Sequence, residues 1–322
     1  MHIPDGFLDA KTAITTGVFS FGGLGVALRH AGRHVQSRQI PLIGLAAAFI
    51  FVAQMINFPV AGGTSGHLLG ATLAAVLLGP SAAVIVMSCV LIIQALIFAD
   101  GGLLALGANV LNMAIVAPIC AYGVYRTMRL MFRDRRGQLI SASIAAWCSA
   151  LVASVFCAGE LSLSGTASWN LALPAMAGMH SLIGIGEAAI TMLVLAAIGK
   201  TRPELLNEEG DRNIGIERKA IYVYGSIIIA GLLILVVPFA SKLPDGLEHV
   251  ALSLGFQYNS SLSAPISPVL KGYGFPGVES VSKASAVAGL VGAFAVFGLS
   301  FLVARILIPK DTGNSSTDFH HL

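Results

Sequence analysis

Long apolar stretches separated by short polar or charged intervals run along the chain. They fall at approximately residues 12–28, 40–58, 66–79, 81–98, 103–125, 139–158, 174–199, 220–240 and 284–308. Most approach or exceed the ~20 residues that an α-helix needs to cross the ~30 Å hydrocarbon core of a bilayer. In that solvent every backbone N–H and C=O must be satisfied internally, which runs of this length do as helices and not as barrel strands. The pattern predicts an all-α integral membrane protein, a polytopic helical bundle of about nine transmembrane segments. The third stretch is short, since Gly66 to Gly79 would rise only about 21 Å as a helix. It is tilted, thins the bilayer, or is a partial helix preceded by re-entrant backbone.

Composition points the same way. Of 322 residues, 56% are hydrophobic and 11% charged, with a mean hydropathy of +0.82, where a soluble domain carries about 25% charged residues. The basic residues are unevenly placed: Arg29, Arg33 and Arg38; Arg126, Arg129, Arg133, Arg135 and Arg136; Lys200, Arg202, Arg212, Arg218 and Lys219. These intervals alternate with 159–173, which has no Lys or Arg, and with 241–283, which has only Lys242, Lys271 and Lys283. Positive residues stay inside, so the N-terminus is expected outside and the C-terminus in the cytoplasm. The net charge of +3 reflects this loop bias and not a nucleic-acid-binding face, so no nucleic-acid partner is expected. Residues 1–11 lack the basic region of a cleavable signal, and the bulk of His2 disfavours removal of Met1. Cys89, Cys120, Cys148 and Cys157 lie within apolar segments without a Cys-x-x-Cys pair and read as packing residues. No Gly-x-x-x-x-Gly-Lys-Ser/Thr motif occurs, so the chain does not itself bind ATP as a P-loop protein.

Against this background the first residues stand out. Met1 and His2, followed by Ile3-Pro4-Asp5-Gly6, offer a divalent cation the α-amine of Met1, the deprotonated backbone nitrogen of His2 and its nearer ring nitrogen. Those donors close a five-membered and a six-membered chelate ring. Nitrogens in one plane suit Ni(II) or Cu(II) better than tetrahedral Zn(II). Pro-Asp-Gly is a turn signature that can fold the terminus back into the bundle. A terminal histidine otherwise frays, so a fourth nitrogen is needed. Asn57 to Gly66, rich in Gly, Ser and Thr, ends at His67, where an apolar segment opens. Irregular backbone at membrane depth is tolerated only when buried in protein or lining a cavity, and His67 is the candidate fourth ligand.

Other polar residues interrupt the apolar segments. Asn109 and Asn112 share a helix face at i and i+3; they either orient the imidazoles of His2 and His67 as outer partners or bond across to another helix. His180 and Glu187 lie seven residues apart, two turns along one face. Each is either an outer partner of the ion or an interhelical bond. Nothing in their spacing ties them to the amino terminus, and the interhelical reading is favoured.

These residues carry a resemblance. MHIPDGFL at 1–8, GGTSGHLLGATLAAVLLGP at 62–80, GANVLNMAIVAP at 107–118 and HSLIGIGEA at 180–188 resemble the CbiM/NikM family. Its members are the substrate-capturing membrane components of energy-coupling-factor importers for cobalt or nickel, a group of ABC transporters. The resemblance implies that Met1, His2 and His67 bind the ion through four nitrogens in a near-planar set. It also implies partners: a transmembrane coupling subunit and cytoplasmic ATPase subunits in a bacterial or archaeal plasma membrane. Residues 243–248, LPDGLE, resemble the PDGLE domain, a two-helix unit similar to the separate CbiN/NikN subunits. The implied organisation is a metal-capture domain over 1–200, a charged cytoplasmic linker over 201–219, the PDGLE unit over 220–308 and a flexible tail over 309–322. Asp100 stands where many cobalt members carry His, which tips the expectation toward nickel over cobalt.

The leading expectation is therefore capture of Ni2+, or Co2+, as transported substrate, with no organic cofactor and no chemical reaction in this chain. A stand-alone secondary transporter is the alternative; it requires midplane charges and often an inverted repeat, of which only Glu187 and His180 hint at the former. A membrane metalloprotease would need a helical His-Glu-x-x-His set, which the sequence lacks.

Overall fold

The computed structural model describes residues 1–206, 218–258 and 268–308; the middle of the predicted linker and the predicted tail lie outside the described residues. Among the described residues, seven helices are long and apolar enough to cross a membrane, within Ser37–Gln54, Pro80–Phe98, Leu106–Met131, Arg135–Leu163, Trp169–Thr201, Tyr222–Phe239 and Val281–Leu307. The remaining two predicted stretches are helical but differ from these for separate reasons. Helix α1 (Ala10–His34) is long, yet it turns Thr12, Thr16 and Ser20 inward while Phe21 is 83% exposed. Polar residues inward and apolar residues outward is the arrangement for lipid contact. Helix α3 (Ala71–Leu78) has eight residues, all buried, and rises only about 12 Å. The short third stretch is thus the partial helix among the alternatives above.

What precedes α3 departs from an all-α chain. Strands β1 (Phe58–Val60) and β2 (Thr64–Gly66) form an antiparallel hairpin with Phe58 opposite Gly66. Gly62 and Gly63 make its turn at φ +89° and +80°, a conformation that glycine adopts without steric cost. The strands are too short for alternation to register in the sequence.

Helix α2 (Ile40–Gln54) leads to the hairpin and α4 (Pro80–Ile93) returns from α3. π-Helical turns follow at Gln94–Phe98 and at Val110–Val116, the second between α5 (Leu106–Asn109) and α6 (Ala117–Met131). Such turns recur at functional sites because they re-aim side chains. Helices α7 (Arg135–Leu163) and α8 (Trp169–Thr201) pack along each other, with Trp147 over Gly184 and its Nε1 donating to the Ser181 carbonyl at 3.0 Å.

The last part of the chain docks on this bundle. Helices α9 (Arg218–Leu235) and α11 (Val281–Leu307) pack on α2, Phe51 against Gly292 and Phe297 against Gly44. Between them α10 (Gly246–Leu254) lies on α8. Pro244-Asp245-Gly246-Leu247-Glu248 is a reciprocal helix cap: Glu248 N–H donates to Asp245 Oδ1 at 2.7 Å, and Asp245 N–H to Glu248 Oε2 at 3.0 Å. Asp at the N-cap and Glu three residues on satisfy two orphan donors at once.

Candidate metal centre

The amino terminus is built into the bundle. Ile3 is fully buried; its N–H donates to Asn109 Oδ1 at 2.8 Å, and its carbonyl accepts from Asn109 Nδ2 at 3.0 Å and from Gly102 N–H at 2.8 Å. Asp5 Oδ1 accepts from Leu104 N–H at 2.7 Å. Gly101 and Gly102 leave room for this: a Cβ on Gly102 would lie 2.4 Å from Asp5 N, and one on Gly101, at φ +88°, would lie 3.3 Å from His2 Cβ.

Met1 and His2 thereby meet His67. The α-amine lies 3.5 Å from His67 Nε2, and the imidazoles of His2 and His67 sit with centroids 5.3 Å apart and planes 30° from parallel. With metal–nitrogen bonds of about 2.05 Å, two cis nitrogens lie about 2.9 Å apart. An approach of about 0.6 Å therefore brings the amine and Nε2 to chelating distance.

The partners of the rings decide which nitrogens carry lone pairs. Nδ1 of His67 lies 3.1 Å from the Leu68 carbonyl. A carbonyl only accepts, so Nδ1 holds the proton and Nε2, facing the amine, is free to bind a metal. For His2 the proton is fixed through two glutamines. Gln54 Nε2 donates to the Leu69 carbonyl at 2.8 Å, so Gln54 Oε1 accepts from Gln94 Nε2, also at 2.8 Å. Gln94 Oε1 is then left to accept from His2 Nε2–H at 3.1 Å. Nδ1 of His2, the nitrogen that would close the six-membered chelate ring, is turned to the Asp100 carboxylate 3.3 Å away. Both tautomers are thus anchored on adjacent carbonyls, Leu68 and Leu69, of the segment that carries His67.

Two carboxylates face the nitrogens. Asp245 Oδ2 accepts from the Met1 amine at 2.6 Å, and Asp100 Oδ1 lies 3.3 Å from His2 Nδ1. Tyr273 steadies the second by donating its hydroxyl to Asp100 Oδ2 at 2.5 Å. Burial alone would lower the affinity of the amine for its proton, but the Asp245 carboxylate outweighs it and raises the amine above its ordinary value. Burial would raise Asp245; the ammonium and the Glu248 N–H hold it well below the usual carboxylate range instead. Burial, then the adjacent ammonium and His2, push His67 down to about 3, so its ring is neutral at pH 7. A neutral imidazole beside two anions suits a small cation. Among the described residues no three His, Cys, Asp or Glu side chains converge on one ion; the expected donor set would draw on terminal and backbone nitrogens instead.

The other predicted residues fall elsewhere. Asn109 clamps the backbone of Ile3 and not an imidazole. Asn112 donates to Glu160 Oε2 at 2.6 Å: the π-turn at Val110–Val116 breaks the helical phase that would have set it beside Asn109. Glu187 accepts from Leu69 N–H at 2.5 Å and Gly70 N–H at 3.0 Å, holding the backbone just after His67. His180 bonds through Nδ1 to the Met176 carbonyl at 2.9 Å and touches none of the three predicted ligands through a hydrogen bond. Gln54, Gln94, Asp245 and Tyr273 are absent from the sequence-based set, and Asp100 entered it only as a family difference. Two amides in otherwise apolar helices were the available signal, since a polar residue there demands a partner.

The second unit closes over this centre. Ser65 N–H donates to the Pro244 carbonyl at 2.8 Å, Ser65 Oγ to the Leu243 carbonyl at 2.7 Å, and Ser241 N–H to the Asn57 carbonyl at 2.7 Å. The hairpin that delivers His67 and the cap that delivers Asp245 are therefore one hydrogen-bonded assembly.

Comparison with known proteins agrees with this architecture. The family model described as "Cobalt uptake substrate-specific transmembrane region" (CbiM) matches residues 2–205, and the PDGLE domain model matches 219–309. A chain of Archaeoglobus fulgidus, assigned by name to the fused nickel transport proteins NikMN, is 37% identical over 314 residues, 95% of this chain and 98% of its own length. The fused nickel transport protein NikMN of Rhodobacter capsulatus is 38% identical over 222 residues, 64% of each chain. The cobalt transport protein CbiM of Lachnoclostridium phytofermentans is 33% identical over 61% of this chain and 73% of its own. A crystal structure of a truncated transition metal transporter superposes with a TM-score of 0.57 at 38% identity, covering 62% of this chain and 99% of that one. This membrane protein belongs to the CbiM family of metal transport proteins, as a CbiM/NikM unit fused to a PDGLE domain.

Proposed function

We propose that this chain captures Ni2+, with Co2+ as the lesser substrate, from outside the cell and passes it inward as the substrate-binding component of an ATP-driven importer of the energy-coupling-factor type. Met1 supplies its amine, His2 its backbone nitrogen and Nδ1, and His67 its Nε2. The observation that carries this reading is the orientation of the two rings: His67 Nδ1 and His2 Nε2 are held by oxygen acceptors, so His67 Nε2 is turned to the Met1 amine and His2 Nδ1 to the Asp100 carboxylate, the two ring nitrogens that a planar four-nitrogen chelate requires. Such a field favours Ni(II) over Zn(II) by geometry, whereas Cu(II) must be excluded by availability. Residues 1–200 form the capture domain, 201–219 a cytoplasmic linker and 220–308 the PDGLE unit that covers the site. The amino terminus faces outside and the carboxyl terminus the cytoplasm. A membrane coupling subunit and ATPase subunits supply the energy, and the chain itself performs no reaction.

Metal analysis tests the reading directly. Full-length protein tagged only at the carboxyl end and equilibrated with nickel is expected to retain one ion per chain, and His67→Ala to retain none. Stoichiometric nickel on His67→Ala would overturn the proposed ligand set.

A further inference from the structure

Beside the capture residues, α8 presents an imidazole that they do not use. His180 is 3% exposed, and its Nδ1 donates to the Met176 carbonyl at 2.9 Å, so Nε2 carries the lone pair. That nitrogen has no hydrogen-bond partner among the described residues. It faces a cavity of about 20 Å³ lined also by Met1, His67, Asp245, Gly246 and Glu187, room for one water-sized particle. Gly246 keeps the ring edge open: a Cβ there would lie 2.9 Å from His180 Cε1 and 3.1 Å from Nε2. The same cavity thus touches two of the capture residues, Met1 and His67, and also Glu187, which lies seven residues beyond His180 along α8.

We infer that this cavity is a transit site for the divalent cation, with His180 Nε2 the ligand that receives the ion as it leaves His67. The inference rests on the capture reading above. One metal–nitrogen bond forms as the other breaks, and no electrons change hands. A single buried imidazole is a weak site beside a four-nitrogen chelate, as a relay must be, since a conducted ion has to be bound firmly enough to enter and loosely enough to leave. His180 is therefore a ligand for movement of the ion and not for its capture.

The test separates the two steps. Nickel binding is measured on the purified full chain, and nickel import in cells that make it with its transport partners, for His67→Ala, His180→Phe and His180→Gln. Phe keeps the volume without a donor; Gln loses ring volume but retains an oxygen donor. The transit role predicts that both His180 variants hold one nickel per chain, that His180→Phe imports about tenfold or more slowly, and that His180→Gln recovers part of the rate. Normal import by His180→Phe, or better import by Phe than by Gln, overturns the relay while leaving the capture site standing. Loss of nickel binding in both His180 variants also overturns it, by making His180 part of the capture site. Nickel retained by His67→Ala would instead sink the capture reading on which the relay rests.

Discussion

The α-amine of Met1 donates to Asp245 Oδ2 at 2.6 Å across 244 positions of sequence, so the terminus of the first unit is tied to the helix cap of the second. Each partner favours the charged form of the other. The raised amine contributes stability that is full below its ordinary value of 8.0 and is lost as pH climbs through the raised one. The lowered carboxyl contributes stability that is full above 3.8 and is lost as pH falls through the lowered value. Docking of the PDGLE unit is expected to be tightest between about pH 4 and pH 8, where both contributions are present. Hydrogen-exchange protection of residues 246–254, corrected for the intrinsic rate, should follow that window in the metal-free chain. In Asp245→Ala the window should vanish.

Nickel capture should depend on pH more steeply than a set of neutral imidazoles would. His67 is already unprotonated above about 3 and releases nothing, but the amine of Met1 and the backbone N–H of His2 must each give up a proton. Apparent affinity should therefore rise with pH by up to about two log units per unit while the amine remains protonated. Proton release measured by calorimetry in buffers of different ionisation enthalpy checks this. A pH-independent affinity between pH 6 and 8 would rule out the amine as a ligand.

An extra residue ahead of Met1 displaces the amine by about 3.8 Å and makes the former donor a peptide nitrogen. An inserted Ala is expected to abolish stoichiometric nickel binding while leaving the thermal midpoint of the metal-free protein within a few degrees. Metal content and a melting curve on the same preparation distinguish lost chelation from lost folding.

The candidate ligands stand out in the sequence because their chemistry is unusual at those places. An amine beside His2 is a chelator wherever it sits, and a histidine after a Gly-rich break in a membrane segment asks for a role. The supports were not legible. Gln54 and Gln94 are 40 residues apart, and only the return of α4 beside α2 lets their amides meet. Asp245 read as part of a motif, and its meaning depends on α10 docking over β2. Asn112 shows the limit of helical periodicity, since a π-turn redirected it to Glu160. The hairpin β1–β2 escaped because three-residue strands carry no period to read.

Gln54 does not touch His2, yet it decides the His2 tautomer. Replacing it with Leu leaves Gln94 free to turn its amide and present N–H to His2 Nε2, which would move the ring proton to the ligating Nδ1. Outer partners of this kind commonly change metal affinity by about 10–100-fold, and Gln54→Leu is expected to fall in that range. Equilibrium competition against a chelator of known affinity measures the loss. The double variant Gln54→Leu/Gln94→Leu should be no worse than about the single one, because both act through the same hydrogen bond.

Glu187 holds the segment on which both tautomers rest. Its carboxylate accepts from Leu69 and Gly70 N–H, at the start of α3, where an anion is favoured by the unpaired amides and the helix dipole. Glu187→Gln keeps the shape but offers one acceptor where two are needed, turning an N–H against a buried N–H. The expected cost is about 1–3 kcal/mol for the group left unsatisfied. Because the carbonyls of Leu68 and Leu69 move with this backbone, nickel affinity should fall along with stability. Glu187→Asp tests the geometry separately: it retains the charge but shortens the reach, and should weaken capture with a smaller loss in melting temperature than Gln. Unchanged nickel affinity in both variants would show that the α3 cap and the chelate are independent.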